Sequence, residues 1–216
     1  MARGARKTVD QSGRSLGPRA LQTRQRLLDA TEALLGERSL RDISVVEIAR
    51  NVETSPATFY QYFKDVPHAT WHLAEQAGRE IPALVAKIDA PWGGKKGLEN
   101  ARDLVAGYID HWDAHRAVLR IRNLASEEGD RRFQKLRRDS SYPILDAFAA
   151  KVREAQEAGR LSEKSHPEAS AAALASMLER LAAFRPELQA LGVSREDLVE
   201  TCARILVQTA TGRAAP

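Results

Sequence analysis

The 216-residue chain has a single cysteine, Cys202, so no internal disulfide can form, and no Cys/His cluster carries zinc-finger spacing. A reducing compartment is expected. No apolar run approaches the roughly 18 to 20 residues of a membrane span, and the first 26 residues lack a signal-peptide apolar stretch. The expected location is therefore cytoplasmic, without a membrane partner. Also missing are a nucleophile motif, a phosphate-cradling Gly-rich loop and a paired-carboxylate signature, so neither catalytic residues nor a cofactor is expected. No internal repeat or low-complexity tract occurs, and no segment alternates as a strand would.

What is present is 43% hydrophobic and 29% charged residues, enough for one large or two small domains. The net charge of +4 is unevenly placed: residues 1–26 carry seven basic side chains (Arg3, Arg6, Lys7, Arg14, Arg19, Arg24, Arg26) against Asp10 alone. The remainder is nearly balanced. Residues 1–19 read as a basic disordered arm.

Every periodic segment beyond it reads as helix. Leu21, Leu27, Leu28, Thr31, Leu34 and Leu35 form a stripe that Gly36 is expected to end. Ser44 and Glu47 have capping-box spacing, with Ile43 and Ile48 as a hydrophobic staple, and Ser55-Pro56 supplies an N-cap hydroxyl before a first-turn proline. Further helices are expected near 66–88 with a bend at Pro82, then near 98–115, 130–158, 167–184 and 194–211. A short one is expected near 116–126, and a loop over 90–97.

Residues 43–64 thus hold a short capped helix, a turn and a second short helix, the arrangement of a DNA-binding helix-turn-helix. On the second helix Phe59, Tyr62 and Phe63 project to one side, while Ala57, Tyr60, Gln61 and Lys64 follow helical spacing on the other. The outward set offers a small residue for close approach, an amide for base edges, and a phenol and a cation for phosphates. Ser55, Pro56 and Thr58 lie at the positive end of that helix. By spacing alone, two helices of an ordinary bundle with a solvated polar face fit equally well.

The segment TSPATFYQYFK, preceded by ISVVEIARNVE, resembles the recognition helix and its predecessor in the TetR family of bacterial transcription regulators. The resemblance spans residues 21 to about 75, and the length and later helices agree with it. It implies DNA contacts from Ser44, Thr58, Tyr60, Tyr62 and the variable Gln61. Tyr62 keeps two readings, since the wheel puts it on the core flank. With Arg19 and Arg24 near the arm, the expected DNA-binding set is Arg19, Arg24, Ser44, Ser55, Pro56, Ala57, Thr58, Tyr60, Gln61, Tyr62 and Lys64. The chain departs from the family at Glu53-Thr54, where glycine and an apolar residue are usual, and at Val66-Pro67, where a lysine commonly starts the fourth helix.

The resemblance further implies a homodimer paired through the last two long helices, and a small-molecule cavity among the middle ones. Leu174, Leu178, Leu181, Leu198, Cys202 and Ile205 are the expected seam, and Tyr108, Trp112, Phe133, Tyr142, Phe148, Met177 and Phe184 the expected pocket lining. The phrases NLASEEGDRRF and MLERLA resemble an actinobacterial branch that includes the ethionamide regulator, which implies a long apolar pocket. Basic residues from Arg116 to Arg138 interleave with Glu127, Glu128, Asp130 and Asp139, a salt-bridge-laced surface. The pairs His68/His72 and His111/His115 have i, i+4 spacing. Neither brings a third ligand in sequence, so no metal is expected.

The expectation is an all-α chain: an arm at 1–19, a three-helix helix-turn-helix DNA-binding domain at 20–66, and an antiparallel helical ligand-binding and dimerisation domain at 67–216. Its partners would be a palindromic double-stranded DNA operator, a second copy and a small apolar or amphipathic effector that releases a repressor. Two alternatives stay open: a ligand-independent or architectural DNA-binding protein, and a metal-dependent enzyme built on the histidine pairs.

Overall fold

The computed structural model describes residues 8–214, so Arg3, Arg6 and Lys7 of the arm lie outside the described residues. Ten α-helices follow one another there: α1 (Pro18–Glu37), α2 (Val45–Asn51), α3 (Pro56–Tyr62), α4 (Val66–Gly78), α5 (Ile81–Asp89), α6 (Gly94–Glu127), α7 (Arg131–Glu157), α8 (Pro167–Ala183), α9 (Arg185–Ala190) and α10 (Arg195–Thr211). A 3-10 turn at Leu40–Asp42 links α1 to α2, and the sole β contact among the described residues is an isolated bridge between Val9 and Ser15. None of these helices is long and apolar enough to cross a membrane.

Several boundaries differ from the sequence reading for identifiable reasons. Gly36 lies inside α1, and the helix ends only at Arg38, whose N–H bonds the Leu34 carbonyl. Burial of Leu34 and Leu35 outweighs the roughly 1 kcal/mol that an internal glycine costs. The span 66–88 is two helices, because Pro82 cannot donate to the carbonyl four residues back, at Gly78. Pro82 instead sits in the first turn of α5, where a missing N–H is harmless. α6 begins at Gly94, inside the expected loop, and its non-helical break at His115 (φ −122°, ψ 19°) falls where the sequence separates 98–115 from 116–126; the short α9 has no counterpart in the sequence reading. Pro143 lies inside an unbroken α7.

Contacts divide the described chain into two compact units. The first holds the residues up to Gln76 together with Ala117–Phe133; the second holds Ala77–Arg116 and everything from Gln134 onward. By contacts, most of α4 and the distal stretch of α6 group with the first unit. Its core is the buried set Leu27, Leu28, Ile48, Phe59, Phe63, Ala69 and Leu73. The second unit buries Leu104, Val105, Trp112, Phe148, Val152, Leu174 and Leu206, and α8 packs on α10.

Candidate nucleic-acid interface

The surface of interest begins with α2. Ser44 Oγ accepts from the Glu47 N–H at 3.2 Å, satisfying one orphan donor of the first turn. The reciprocal half of the expected capping box is absent, because the Glu47 carboxylate is engaged by Arg38. At the other end Arg26 donates to the Val52 carbonyl at 2.8 Å, tying α1 to the turn. Glu53 then takes φ 55°, the left-handed conformation that glycine usually supplies, and the Thr54 N–H returns to the Ala49 carbonyl at 2.9 Å. The turn keeps the shape that glycine would give, despite the different residue.

That turn launches α3. Ser55 Oγ accepts from the Thr58 N–H at 3.3 Å and lies 3.1 Å from Thr58 Oγ1, with Pro56 in the first turn. Phe59 and Phe63 have no exposed surface and meet at 5.3 Å, which fixes the rotation of the helix about its axis. Pro56, Ala57, Tyr60, Gln61 and Lys64 are consequently exposed, Tyr60 by 53%. Ser44, Ser55 and Arg19 are exposed as well, and Thr58 is half-buried. Two of the expected DNA contacts are engaged within the unit. Tyr62 is only 8% exposed and belongs to the core flank, and the half-buried Arg24 places its guanidinium 5.0 Å from the Phe63 ring centre, a cation–π contact within the unit.

From residue 8 onward the arm carries a hydrogen-bonded turn. Asp10 accepts from Ser12 and Arg14 to close a tight turn, and these bonds hold its carboxyl below the usual range. Gln11 then binds the end of α3 twice: its N–H donates to the Gln61 carbonyl and its Nε2 to the Tyr62 carbonyl, both at 2.9 Å. A helix leaves its last carbonyls unpaired, and here a residue about fifty positions away takes two of them. Beyond α3 the Lys64 N–H donates to His68 Nδ1 at 3.1 Å, which requires a neutral imidazole. Burial, then the neighbouring His72, hold the His68 pKa below its ordinary 6.5. Gln11 carried no motif, and the i, i+4 spacing that singled out His68 pointed to His72 rather than to the end of α3, so sequence periodicity had no means of selecting either contact.

In the second unit the expected seam is largely interior. Leu174, Leu178, Leu198 and Cys202 are buried within one chain. Burial pushes the Cys202 thiol up to about 11. Leu181 is half-buried and Ile205 is exposed. The expected pocket set is likewise dispersed. Trp112 and Phe148 are core, Phe133 is buried in the first unit, Met177 is half-buried, and Phe184 lies beneath the Arg180 guanidinium at 3.4 Å. Only Tyr108 and Tyr142 line an open groove of about 310 Å³ formed by α6, α7 and α8. Ile144, Leu145 and Ala175 give it an apolar wall, and Gln134, Arg137, Arg138 and Glu179 a polar one. The groove is amphipathic rather than long and apolar.

Four members of the basic stretch are paired: Arg132 with Asp130 and Lys135 with Asp139 among the interleaved acids, and Arg116 with Asp113 and Arg137 with Glu179 (4.0 Å) beyond them. The histidine pair at 111 and 115 does acquire a third group, Glu80, which sequence spacing could not reveal. Its carboxyl is pushed up by burial but held below its usual range by the hydrogen bonds from both imidazoles.

Comparisons with known proteins address both units. Residues 27–65 match the family model described as "Bacterial regulatory proteins, tetR family", and residues 84–216 match "Tetracyclin repressor-like, C-terminal domain". The HTH-type transcriptional regulator BetI of Brucella suis biovar 1 (strain 1330) is 32% identical over 72 residues, which cover 32% of this chain and 36% of that relative's length. Among solved structures, the fatty acid degradation regulator FadR from Bacillus halodurans aligns with TM-score 0.65 at 14% identity, over 90% of this chain and 97% of that one. The regulator FadR from Bacillus subtilis in complex with stearoyl-CoA aligns with TM-score 0.59 at 15% identity, over 88% of this chain and 98% of that one. At such identities the structural matches establish the fold.

Proposed function

The chain belongs to the tetR family of bacterial regulatory proteins and is a DNA-binding transcriptional regulator, not an enzyme; on that basis we propose that it is a homodimeric cytoplasmic repressor reading a palindromic operator through α3. One observation carries the reading. The apolar side of α3 is wholly buried and its N-terminus capped, so Ala57, Tyr60 and Gln61 form an exposed helix face of major-groove chemistry, with the exposed Lys64 just past the extended C-cap at Phe63. Gln61 reads a base edge, Tyr60 and Lys64 meet phosphate, and Ser44, Ser55 and Arg19 add backbone contacts. Two copies related by a two-fold axis present their reading helices about 34 to 36 Å apart, one helical turn of DNA.

With Leu174, Leu178, Leu198 and Cys202 interior, the pairing surface is the outer side of the same two helices. Ala172, Ala173 and Ser176 on α8, and Thr201, Ile205 and Gln208 on α10, are exposed at helical spacing. Small residues on α8 permit close helix approach. The groove on α6, α7 and α8 takes the effector. Arg137 already faces Glu179, whereas Arg138 makes no ion pair among the described residues and stands ready for an anionic head above the apolar wall. The stearoyl-CoA held by the Bacillus subtilis relative lends support to an anionic amphiphile. Such a ligand lowers operator affinity by preferring a form that does not fit DNA.

Selection of bound fragments from the source genome, repeated with Gln61→Ala, tests the reading. The wild type yields one inverted-repeat motif, and Gln61→Ala relaxes one base position per half-site, at a cost of about 1–3 kcal/mol for each lost contact. An unchanged motif with the variant sinks the assignment of α3 as reader.

A further inference from the structure

Outside the DNA-reading surface and the effector groove, three metal-ligating groups converge in the second unit. The α4–α5 turn places Glu80 against α6, where one carboxylate oxygen lies 2.7 Å from His111 Nδ1 and the other 2.9 Å from His115 Nε2. One ligand atom from each of the three residues falls within 4.8 Å of the other two. The two histidines share a helix face, and the bend at His115 (φ −122°) departs from regular helix at the residue that completes the cluster. His111 is 6% exposed, so its ring is held by packing, while the more open Glu80 and His115 leave a route from solvent.

We propose that Glu80, His111 and His115 form a divalent-cation site of the borderline class, with Zn²⁺ as its best-fitting occupant. Two neutral imidazoles and one carboxylate are a donor set that zinc accepts at about 2.0–2.2 Å, leaving a fourth position for water. Ligand atoms around a tetrahedral ion lie about 3.3 Å apart, so the present N···O spacings widen slightly and small side-chain rotations draw the widest pair inward. The cation displaces the N–H protons now shared with the carboxylate and takes over their role. It thereby pins the start of α5 to α6 at the bend, by coordination stronger than the hydrogen bonds it replaces. The other pair, His68 and His72, lacks this convergence: His68 Nδ1 accepts a backbone N–H, and the two residues belong to no three-group cluster among the described residues.

The test uses the full-length protein, stripped with chelator and titrated with ZnCl₂ by calorimetry, with Co²⁺ substituted as a spectroscopic probe. Wild type is expected to bind one equivalent of Zn²⁺ per chain with a rise in unfolding temperature, and its Co²⁺ form to show the visible bands of a tetrahedral nitrogen–oxygen site. Glu80→Gln and His115→Ala, each verified as folded by circular dichroism, should lose at least about 100-fold in zinc affinity, since removing a mere supporting residue already costs 10- to 100-fold. His68→Ala should bind as wild type. Absence of stoichiometric zinc in wild type overturns the proposal, because the cluster is then a hydrogen-bonded triad only. Stoichiometric binding that survives both Glu80→Gln and His115→Ala overturns it equally, by placing the ion elsewhere.

Discussion

Glu53 holds the one left-handed backbone conformation found at a non-glycine among the described residues (φ 55°). For an L-residue that geometry costs about 1–2 kcal/mol, part of which glycine would return as extra freedom of the unfolded chain. Glu53→Gly is therefore expected to raise stability by about 1 kcal/mol, read as a higher denaturant midpoint at unchanged slope. The substitution was visible in the sequence as a departure from the family's glycine. That the turn nonetheless keeps its shape was not, because it is held by the distant Arg26 on the Val52 carbonyl together with the local Thr54 N–H on the Ala49 carbonyl. His68 yields a second prediction. Its pKa in the folded state lies below 6.5, so the unfolded chain binds the extra proton first. The stability contributed by neutral His68 is complete above pH 6.5 and is lost as pH falls through the folded value. His68→Asn keeps an acceptor for the Lys64 N–H without titrating. The gap between wild-type and variant unfolding temperatures should therefore shift against wild type as pH is lowered from about 7 to about 5.

At the scale of elements, helices announced by caps and buried stripes are legible in the sequence. Ser55-Pro56 opens α3 where the spacing placed it, and the Phe59/Phe63 pair faces inward as the wheel required. Tertiary partners were less legible. The leucines of α8 and α10 show the same stripe whether they pair within a chain or between two, and only their burial decides for the interior. The arm is the sharpest instance, since charge without periodicity reads as disorder, yet Gln11 satisfies the Gln61 and Tyr62 carbonyls that α3 cannot pair for itself. Gln11→Ala removes the side-chain bond, worth about 0.5–1.5 kcal/mol. Operator affinity should drop by up to about tenfold with the selected motif unchanged, because the arm positions α3 without reading bases. Equal affinity for variant and wild type in a titration of labelled operator would show that the docked turn contributes nothing.

For the molecule as a whole the informative quantity is how charge is distributed, and counter-ion release makes that measurable. The first 26 residues hold seven cations against one acid, whereas the basic stretch around Arg132 is neutralised by its own acids. On the proposed reading, phosphate contacts come from the arm, Lys64 and the capped ends of α2 and α3. If a dimer neutralises about 8 to 10 phosphates, log affinity should fall against log salt with a slope of about −7 to −9. Deleting residues 1–19 should flatten that slope by about one for every phosphate contact removed, and weaken binding to cognate and random duplex alike. Replacing Arg132 or Lys135, whose charges are already compensated, should leave it in place. A slope near zero for wild type, or one insensitive to loss of the arm while Arg132→Ala reduces it, would move the DNA-facing surface away from α3 to the acid-and-base-laced helices.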